Sequence, residues 1–373
     1  MVSGMTPKQS PVYLDYNATT PLRAEVAALM TEKMCETGNA SSVHSFGRNM
    51  RKDIETAREQ IAKFVQCDPI DIVFTSGATE ANNAVIFGAP VQRVLYSAIE
   101  HPSVIDAAIY RGNAFAIPVL PTGIVDLEAL EKILVSENIP TLVSVMWVNN
   151  ETGVIQPVAE IAAMAKKYGC LFHCDAVQAA GKLPLHMNGI DYLTISAHKI
   201  GGPSGIGALI YNHETQLQKF IHGGGQERRR RAGTENTLGA IGFGLAAQLA
   251  SKEQNDFATW RDHCETEMQK ATPHIEFVGR DAPRVANTIQ VILPSVPAET
   301  QLMSLDLDGI AVSSGSACSS GSIKPSHVLL AMGVDPAKAR CAIRVSMGHA
   351  TTKEQLDRFL ASWVTNSQRW LKV

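Results

Sequence analysis

One lysine organises the chemistry that this chain could perform. It stands in Thr194-Ile195-Ser196-Ala197-His198-Lys199-Ile200-Gly201-Gly202-Pro203-Ser204, after an apolar run and ahead of a glycine-rich turn. An amine held at the mouth of a sheet can form a Schiff base with a carbonyl compound. Hydroxyl, imidazole and turn N–H donors beside it suit a phosphate. A lysine in a loop is ordinarily only solvated, so the reading depends on the other parts of an aldehyde-cofactor site. The first is Thr75-Ser76-Gly77-Ala78-Thr79-Glu80, which follows an apolar run and opens a helix. Its N–H groups, led by Ala78 and Thr79, would converge on an anion at the positive end of the helix dipole. A self-capped helix explains the same residues equally well. No GK[ST] follows, so it is not a P-loop. Gly201 to Gly207 likewise fails the dinucleotide fingerprint, because it leads into a strand.

Asp175 ends the run Leu171-Phe172-His173-Cys174. A carboxylate at a strand end can pair with a protonated pyridine nitrogen and keep that ring an electron sink; a helix N-cap is the plainer role. Gln178, three residues on, could bond a ring oxygen. His101, in Glu100-His101-Pro102-Ser103, can stack on a flat ring and act as acid or base, although a lone histidine before proline is more often structural. Asn149-Asn150-Glu151-Thr152-Gly153 closes another apolar run and could be a simple turn. Arg344 interrupts Ala342-Ile343-Val345-Ser346 and needs an anionic partner, either a substrate carboxylate or a structural carboxylate. Cys318 lies in Ser313-Ser314-Gly315-Ser316-Ala317-Cys318-Ser319-Ser320-Gly321-Ser322, with no apolar periodicity around it. That setting suits an exposed thiol that must reach first a substrate and then a partner. Arg228 to Arg231 form a basic run beside Gly223-Gly224-Gly225, read as a solvated face or as an intersubunit anion site. Cys170 and Cys174 lack a second ligand pair, so no metal site is expected from them.

These residues need a sheet to carry them. Strands are expected at Ile72–Thr75, Arg93–Ser97, Ala114–Val119, Leu142–Val148, Cys170–Asp175, Tyr192–Ser196 and, turning back antiparallel, Gly207–Tyr211. Helices opening near Ala78 and spanning Ser103–Arg111, Leu127–Val135 and Val158–Tyr168 separate them. Continuous apolar strands alternating with helices predict an α/β domain with a mostly parallel sheet covered on both faces. Ligands gather at the carboxyl ends of such strands. Past residue 255 the texture changes: a helix at Phe257–Lys270 leads to strands at Thr288–Ile292, Ala311–Ser314 and Ile343–Ser346. Helices near Glu299–Leu307, Ser326–Met332 and Glu354–Trp370 lie among them. The expected division is 12–255 for a large domain and 256–373 for a smaller α+β domain, with residues 1–11 packing on the latter.

A chain of 373 residues supports two cores. Its formal net charge of −3 gives no case for nucleic-acid binding or a membrane surface. Met1 to Ser10 is polar and does not read as a signal peptide, and Leu238 to Ala250 is too short to span a bilayer. Seven cysteines without a framework of spacings fit a reducing, cytoplasmic setting.

Taken together, the segments resemble cysteine desulfurases, the NifS/IscS-like members of the class V aminotransferase group with the type I pyridoxal-phosphate fold. The resemblance runs from Tyr13-Leu14-Asp15-Tyr16-Asn17-Ala18-Thr19-Thr20-Pro21 to Thr352. Its most specific pieces are SAHKI-GGPSGIGAL, TSGATEANN, HCDAVQ, GGGQE…RAGTEN and SSGSAC. The resemblance implies pyridoxal 5'-phosphate on Lys199, Asp175 at the ring nitrogen, His101 stacked on the ring and Gln178 on the ring oxygen. Ala78, Thr79, Ser196 and His198 would bind phosphate, joined by Thr234 from the other subunit of a homodimer. Asn150 and Arg344 would position L-cysteine, with Asn39 assisting. Cys318 would accept the sulfur as a persulfide, leaving L-alanine, and pass it to an iron–sulfur scaffold or another acceptor protein. No metal is implied, save Cys318 as a transient cluster ligand with such a scaffold. Three departures stand out: Ala40 where the family commonly has proline, Arg229 where related sequences often have glycine, and a short tail after Thr352 that leans towards the NifS-like type. A selenocysteine or β-eliminating lyase on the same scaffold and a non-catalytic metal or Fe–S carrier are the competing readings.

Overall fold

The computed structural model describes residues 10–136, 139–314 and 324–371. Its first part runs β1 (Val12–Tyr13), α1 (Ala24–Lys33), α2 (Ser45–Val65), β2 (Ile72–Thr75), α3 (Ala78–Gly88), β3 (Arg93–Ser97) and α4 (Pro102–Arg111). There follow β4 (Ala114–Ile117), α5 (Leu127–Ser136), β5 (Thr141–Ser144), α6 (Val158–Lys167), β6 (Leu171–Asp175), β7 (Tyr192–Ser196), β8 (Gly207–Ile210) and α7 (Thr237–Ala250). The chain then forms α8 (Phe257–Ala271), β9 (Glu276–Phe277), β10 (Thr288–Ile292), α9 (Ala298–Leu307) and β11 (Ile310–Ala311). It closes with α10 (His327–Ala331), α11 (Pro336–Ala339), β12 (Ala342–Ser346) and α12 (Lys353–Trp370).

Among the described residues, seven strands form one sheet in the order β2-β8-β7-β6-β5-β3-β4. β8 alone runs antiparallel, against both β2 and β7. Every residue of β2, β3, β5, β7 and β8 is buried, as expected for strands covered on both faces. The chain goes from β3 to β4 on one side and then returns to β5 on the other, and such a reversal opens a crevice at the carboxyl ends of the strands.

A second apolar core gathers Ile289, Val291, Ile343, Val345, Leu356, Phe359 and Trp363 around the antiparallel sheet β12-β10-β9. Val12 and Leu14 pack in this second core, because β1 pairs with β11. The last predicted strands are shorter or shifted: β11 stops at Ala311, and Ser313 meets Arg344 only through an isolated bridge. Helix α2 was absent from the sequence reading. It buries Met50, Ile54, Ala57, Ile61 and Val65, spaced for one helical face, against α7. No helix among the described residues is long and apolar enough to cross a membrane.

Candidate active site

The carboxyl ends of β2, β3, β5, β6 and β7 surround a cavity of about 550 Å³. Ala78, Thr79, His101, Asn150, Asp175, Gln178, Ser196, His198, Lys199 and Arg344 all line it. Sequence positions separated by more than 250 residues are thereby brought to one place.

Lys199 follows β7 in a short 3-10 turn, and its Nζ donates to the carbonyls of Asn17 and Ala18, each at 2.7 Å. Burial lowers its pKa from 10.5 to about 8, helped by the positive Arg344 and opposed by Asp175 and Asp15. His198, beside it, is pushed down to about 4 by burial and then by Lys199, so its ring is neutral; Nδ1 lies 3.1 Å from the Thr19 hydroxyl.

Asp175 is buried and accepts from Asn82 Nδ2 at 2.8 Å and from the Val177 amide at 3.0 Å. Both partners only donate, so the carboxylate is held fixed. Asn82 was not singled out in the sequence. On α3 it also donates to Ser103 Oγ at 2.9 Å, linking Asp175 to the hydroxyl that lies 2.8 Å from His101 Nδ1. The Ser103 amide donates to the same ring nitrogen at 3.1 Å, making His101 the N-cap of α4. With Nδ1 accepting, the neutral ring carries its proton on Nε2. His101 lines the cavity and is exposed to it, and desolvation by the cavity walls lowers its pKa, as do Lys199 and His327, while Asp175 and Asp106 raise it.

Arg344 projects from β12 and is 3% exposed. Its NH1 donates to the Asn150 carbonyl at 2.9 Å and its NH2 to Asp15 Oδ1 at 2.7 Å. Nε is buried without a hydrogen-bond partner among the described residues. Of the two readings of this arginine, the structural carboxylate is present in Asp15.

The site also fits a pyridoxal phosphate by its own chemistry. Gly77, at the N-cap of α3, offers no side-chain acceptor to the first-turn N–H groups, which face the cavity where a dianion is favoured. Close packing holds that turn in place: a Cβ on Gly207 would come within 2.8 Å of the Gly77 backbone and the Ile195 carbonyl. Arg231 forms two bonds to Glu80, at 2.9 and 3.1 Å, and Glu80 accepts the Ser76 amide at 2.8 Å. The basic run thus braces the anion-binding turn from behind. Arg228 pairs with Glu55, and Arg230 bonds the carbonyls of Ile70 and Ile72.

Asn39 and Thr234 stand exposed on loops and do not line this chain's cavity. Asn39 Oδ1 accepts the Ser41 amide at 2.9 Å. Cys318 lies outside the described residues. Cys174 is buried in the first core and Cys170 precedes β6, and no cluster of metal-ligating side chains occurs among the described residues.

Comparison with known proteins matches residues 12–359 to the class-V aminotransferase family. The chain is 43% identical over 363 residues to cysteine desulfurase IscS of Dictyoglomus turgidum, covering 93% of this chain and 92% of that one. Among solved structures, a NifS-like protein from Rickettsia africae superposes with a TM-score of 0.88 at 37% identity, over 97% of this chain and all of the other. A structure of SspA in complex with cysteine gives a TM-score of 0.78 at 30% identity, over 90% and 98% of the two chains.

Proposed function

The chain belongs to the class-V aminotransferase family and is a pyridoxal-phosphate-dependent cysteine desulfurase of the IscS/NifS-like kind, and from that premise we propose the residue roles and the route of the sulfur. L-cysteine is the substrate, in keeping with the cysteine complex of SspA. Asp175 holds the ring nitrogen of the cofactor, His101 covers its face and Gln178 donates to its ring oxygen. Ala78, Thr79, Ser196 and His198 hold the phosphate, together with Thr234 of the partner subunit in a homodimer. When bound, pyridoxal phosphate supplies an electron sink conjugated to the substrate α-carbon.

The chain's own groups do the rest. Arg344 takes the substrate carboxylate where its guanidinium lines the cavity, with Asp15 and the Asn150 carbonyl fixing its plane. Lys199, poised near neutrality, removes the α-proton and returns protons to carbon. The Cys318 thiolate, assisted by the Nε2–H of His101, attacks the substrate sulfur. An S–S bond forms as the C–S bond breaks, the electron pair stays with the substrate β-carbon, and protonation there gives L-alanine. Cys318 is left as a persulfide, whose outer sulfur goes to an iron–sulfur scaffold or another acceptor protein. Asn39 assists on the substrate side of a completed dimer.

The observation that carries this reading is the pairing of a depressed-pKa lysine with a buried aspartate and an under-bonded arginine around one cavity. Lys199→Ala should lose the cofactor absorbance and the activity together. Cys318→Ala should keep the absorbance and lose sulfide release from L-cysteine and a reductant. Full sulfide release by Cys318→Ala would replace the persulfide route with direct β-elimination.

A further inference from the structure

Behind the cavity, on the side of Lys199 away from α3, lies a second and smaller hollow of about 140 Å³ lined by Lys182, Asn287, Arg23, Glu253 and His349. Lys182 reaches across its wall. Its Nζ donates to Gln178 Oε1 at 2.6 Å and to Asn17 Oδ1 at 2.9 Å. Both partners are neutral amide oxygens, which is unusual company for a half-buried lysine amine. Burial holds the Lys182 pKa well below its ordinary value, and Lys199 and Arg344 add to that effect. A position this unfavourable for a lysine calls for a reason.

The reason is found in what the amine does to two amides. A glutamine side chain can turn its oxygen and nitrogen about, and only its neighbours decide which faces where. Gln178 is fixed at both ends: its Oε1 faces the donating Lys182, and its Nε2 donates to the Asn17 carbonyl at 2.8 Å. Asn17 is fixed in the same manner. Its Nδ2 spends its two protons on the Asn150 carbonyl at 3.1 Å and Thr288 Oγ1 at 2.9 Å. Its Oδ1 accepts from Lys182 and, at 3.1 Å, from Asn287 Nδ2. The Asn17 carbonyl that receives Gln178 is the one that receives Lys199. Among the described residues one proton on Gln178 Nε2 has no partner, and Gln178 lines the main cavity.

We propose that Lys182 is a positioning residue that locks the Gln178 amide with its N–H facing the main cavity, so that a donor and never an acceptor meets the ring oxygen of the bound cofactor. The assignment rests on the proposed role of Gln178. Lys182 itself touches neither substrate nor cofactor. Without it, Oε1 loses its partner and only the Asn17 carbonyl opposes inversion; in the inverted amide an oxygen lone pair confronts the anionic ring oxygen. An N–H on that oxygen favours its deprotonated form, while an inverted amide favours the protonated one.

The test compares Lys182→Met, which keeps the stem and removes the donors, with Lys182→Arg, which restores a group that only donates. Each is loaded with pyridoxal phosphate, and attachment at Lys199 is confirmed by peptide mass on a separate portion reduced with borohydride. The readout is the pH midpoint of the bound cofactor's visible absorbance, followed alongside kcat and KM for L-cysteine. Lys182→Met is expected to load at Lys199, raise the midpoint by about one unit (a tenfold change in proton affinity) and lower kcat more than it raises KM. Lys182→Arg should return the midpoint towards the wild-type value. Gln178→Ala should shift it by itself, and adding Lys182→Met to that background should shift it no further. An unchanged midpoint in Lys182→Met, or an equal shift with and without Gln178, would overturn the assignment. Wild-type protein that takes up no cofactor at Lys199 would bring down the underlying site reading, and this assignment with it.

Discussion

When protein stripped of pyridoxal phosphate is mixed with the cofactor, the rate of attachment should follow the uncharged fraction of Lys199, because only the free base can attack an aldehyde. Burial and Arg344 bring that amine from 10.5 to about 8, against the pull of Asp175 and Asp15. At pH 7 about one amine in ten is then uncharged, compared with about one in three thousand at the ordinary value. The assay is a stopped-flow absorbance series from pH 6 to 11, with an N-acetylated lysine under the same conditions to cancel the ionisations of the cofactor. Below pH 8 both rates should climb about tenfold per unit and their ratio stay level. Between about 8 and 10.5 the protein rate should plateau while the control keeps rising, so the ratio falls on the order of a hundredfold. A ratio that stays flat to pH 11 would refute the depressed amine and with it the electrostatic argument for Lys199. Linkage fixes a companion sign. Over the same window the unfolded chain holds this proton longer than the folded one, so the stability penalty from Lys199 fades as pH rises from about 8 to 10.5.

Three further outcomes are expected. Glu227→Ala strips the guanidinium of Arg58 of bonds at 2.9 and 3.0 Å and leaves the Phe74 amide unpaired, with both side chains of the pair only 3% exposed. The loss should be about 3–5 kcal/mol, read by urea unfolding of the holoenzyme, and a change under about 1 kcal/mol would contradict the burial argument. Asp15→Asn removes the 2.7 Å ion pair that aims Arg344. It should raise KM for L-cysteine by roughly threefold to tenfold, part of the ~1.5–3 kcal/mol of a charged hydrogen bond, with kcat nearly constant. A lowered KM would instead make Asp15 a competitor of the substrate. Gly207→Ala drives a methyl group against the Gly77 backbone at 2.8 Å. It should weaken cofactor retention on dialysis by about tenfold or more, since overpacking costs ~1–3 kcal/mol; wild-type retention would show that the α3 turn can yield.

Much of this architecture was legible because buried parallel strands are short apolar runs with turn residues on both sides. β2, β3, β7 and β10 coincide with the expected spans, and chemistry follows directly at the ends of β3, β6 and β7. Helix α2 escaped because charged residues interrupt its apolar positions, leaving a pattern visible only at helical spacing. Asn17 and Asn82 escaped because their partners are distant, 93 residues away for the Asp175 contact of Asn82 and up to 271 for Asn17, whereas Lys182 has Gln178 only four residues back and is tied to Asn17 across 165. The Arg344 expectation went further than its neighbours allowed one to see: an arginine inside an apolar strand requires an anion, but only the fold shows that Asp15 supplies one and leaves Nε over. Arg229 shows the converse. Glu227, Arg228 and Arg229 have φ of 43°, 53° and 67°, a left-handed turn in which glycine would be at ease. A departure noted in the sequence thus marks a backbone that is held by its neighbours, chiefly the buried Arg58–Glu227 pair.

The segment from Leu14 to Arg23 explains how two cores share one site. Leu14 belongs to the second core, where its amide bonds the Ala311 carbonyl at 2.9 Å and its own carbonyl receives the Ser346 amide at 2.8 Å. Six residues later the chain is tied to the first core: the Thr20 amide meets the His198 carbonyl at 2.8 Å, and its hydroxyl the Lys199 carbonyl at 2.9 Å. Arg23 Nε then bonds the Ile200 carbonyl at 2.8 Å. Between these anchors lie Asp15, which aims Arg344, and Asn17, which receives Lys199, Gln178 and Lys182. The lysine and the arginine come from different sheets, and a substrate held by both, as proposed, would tolerate little drift between them. This short strap is the element that sets their separation. The resemblance in Tyr13 to Pro21 is therefore best understood as the geometry of the site written into the start of the chain.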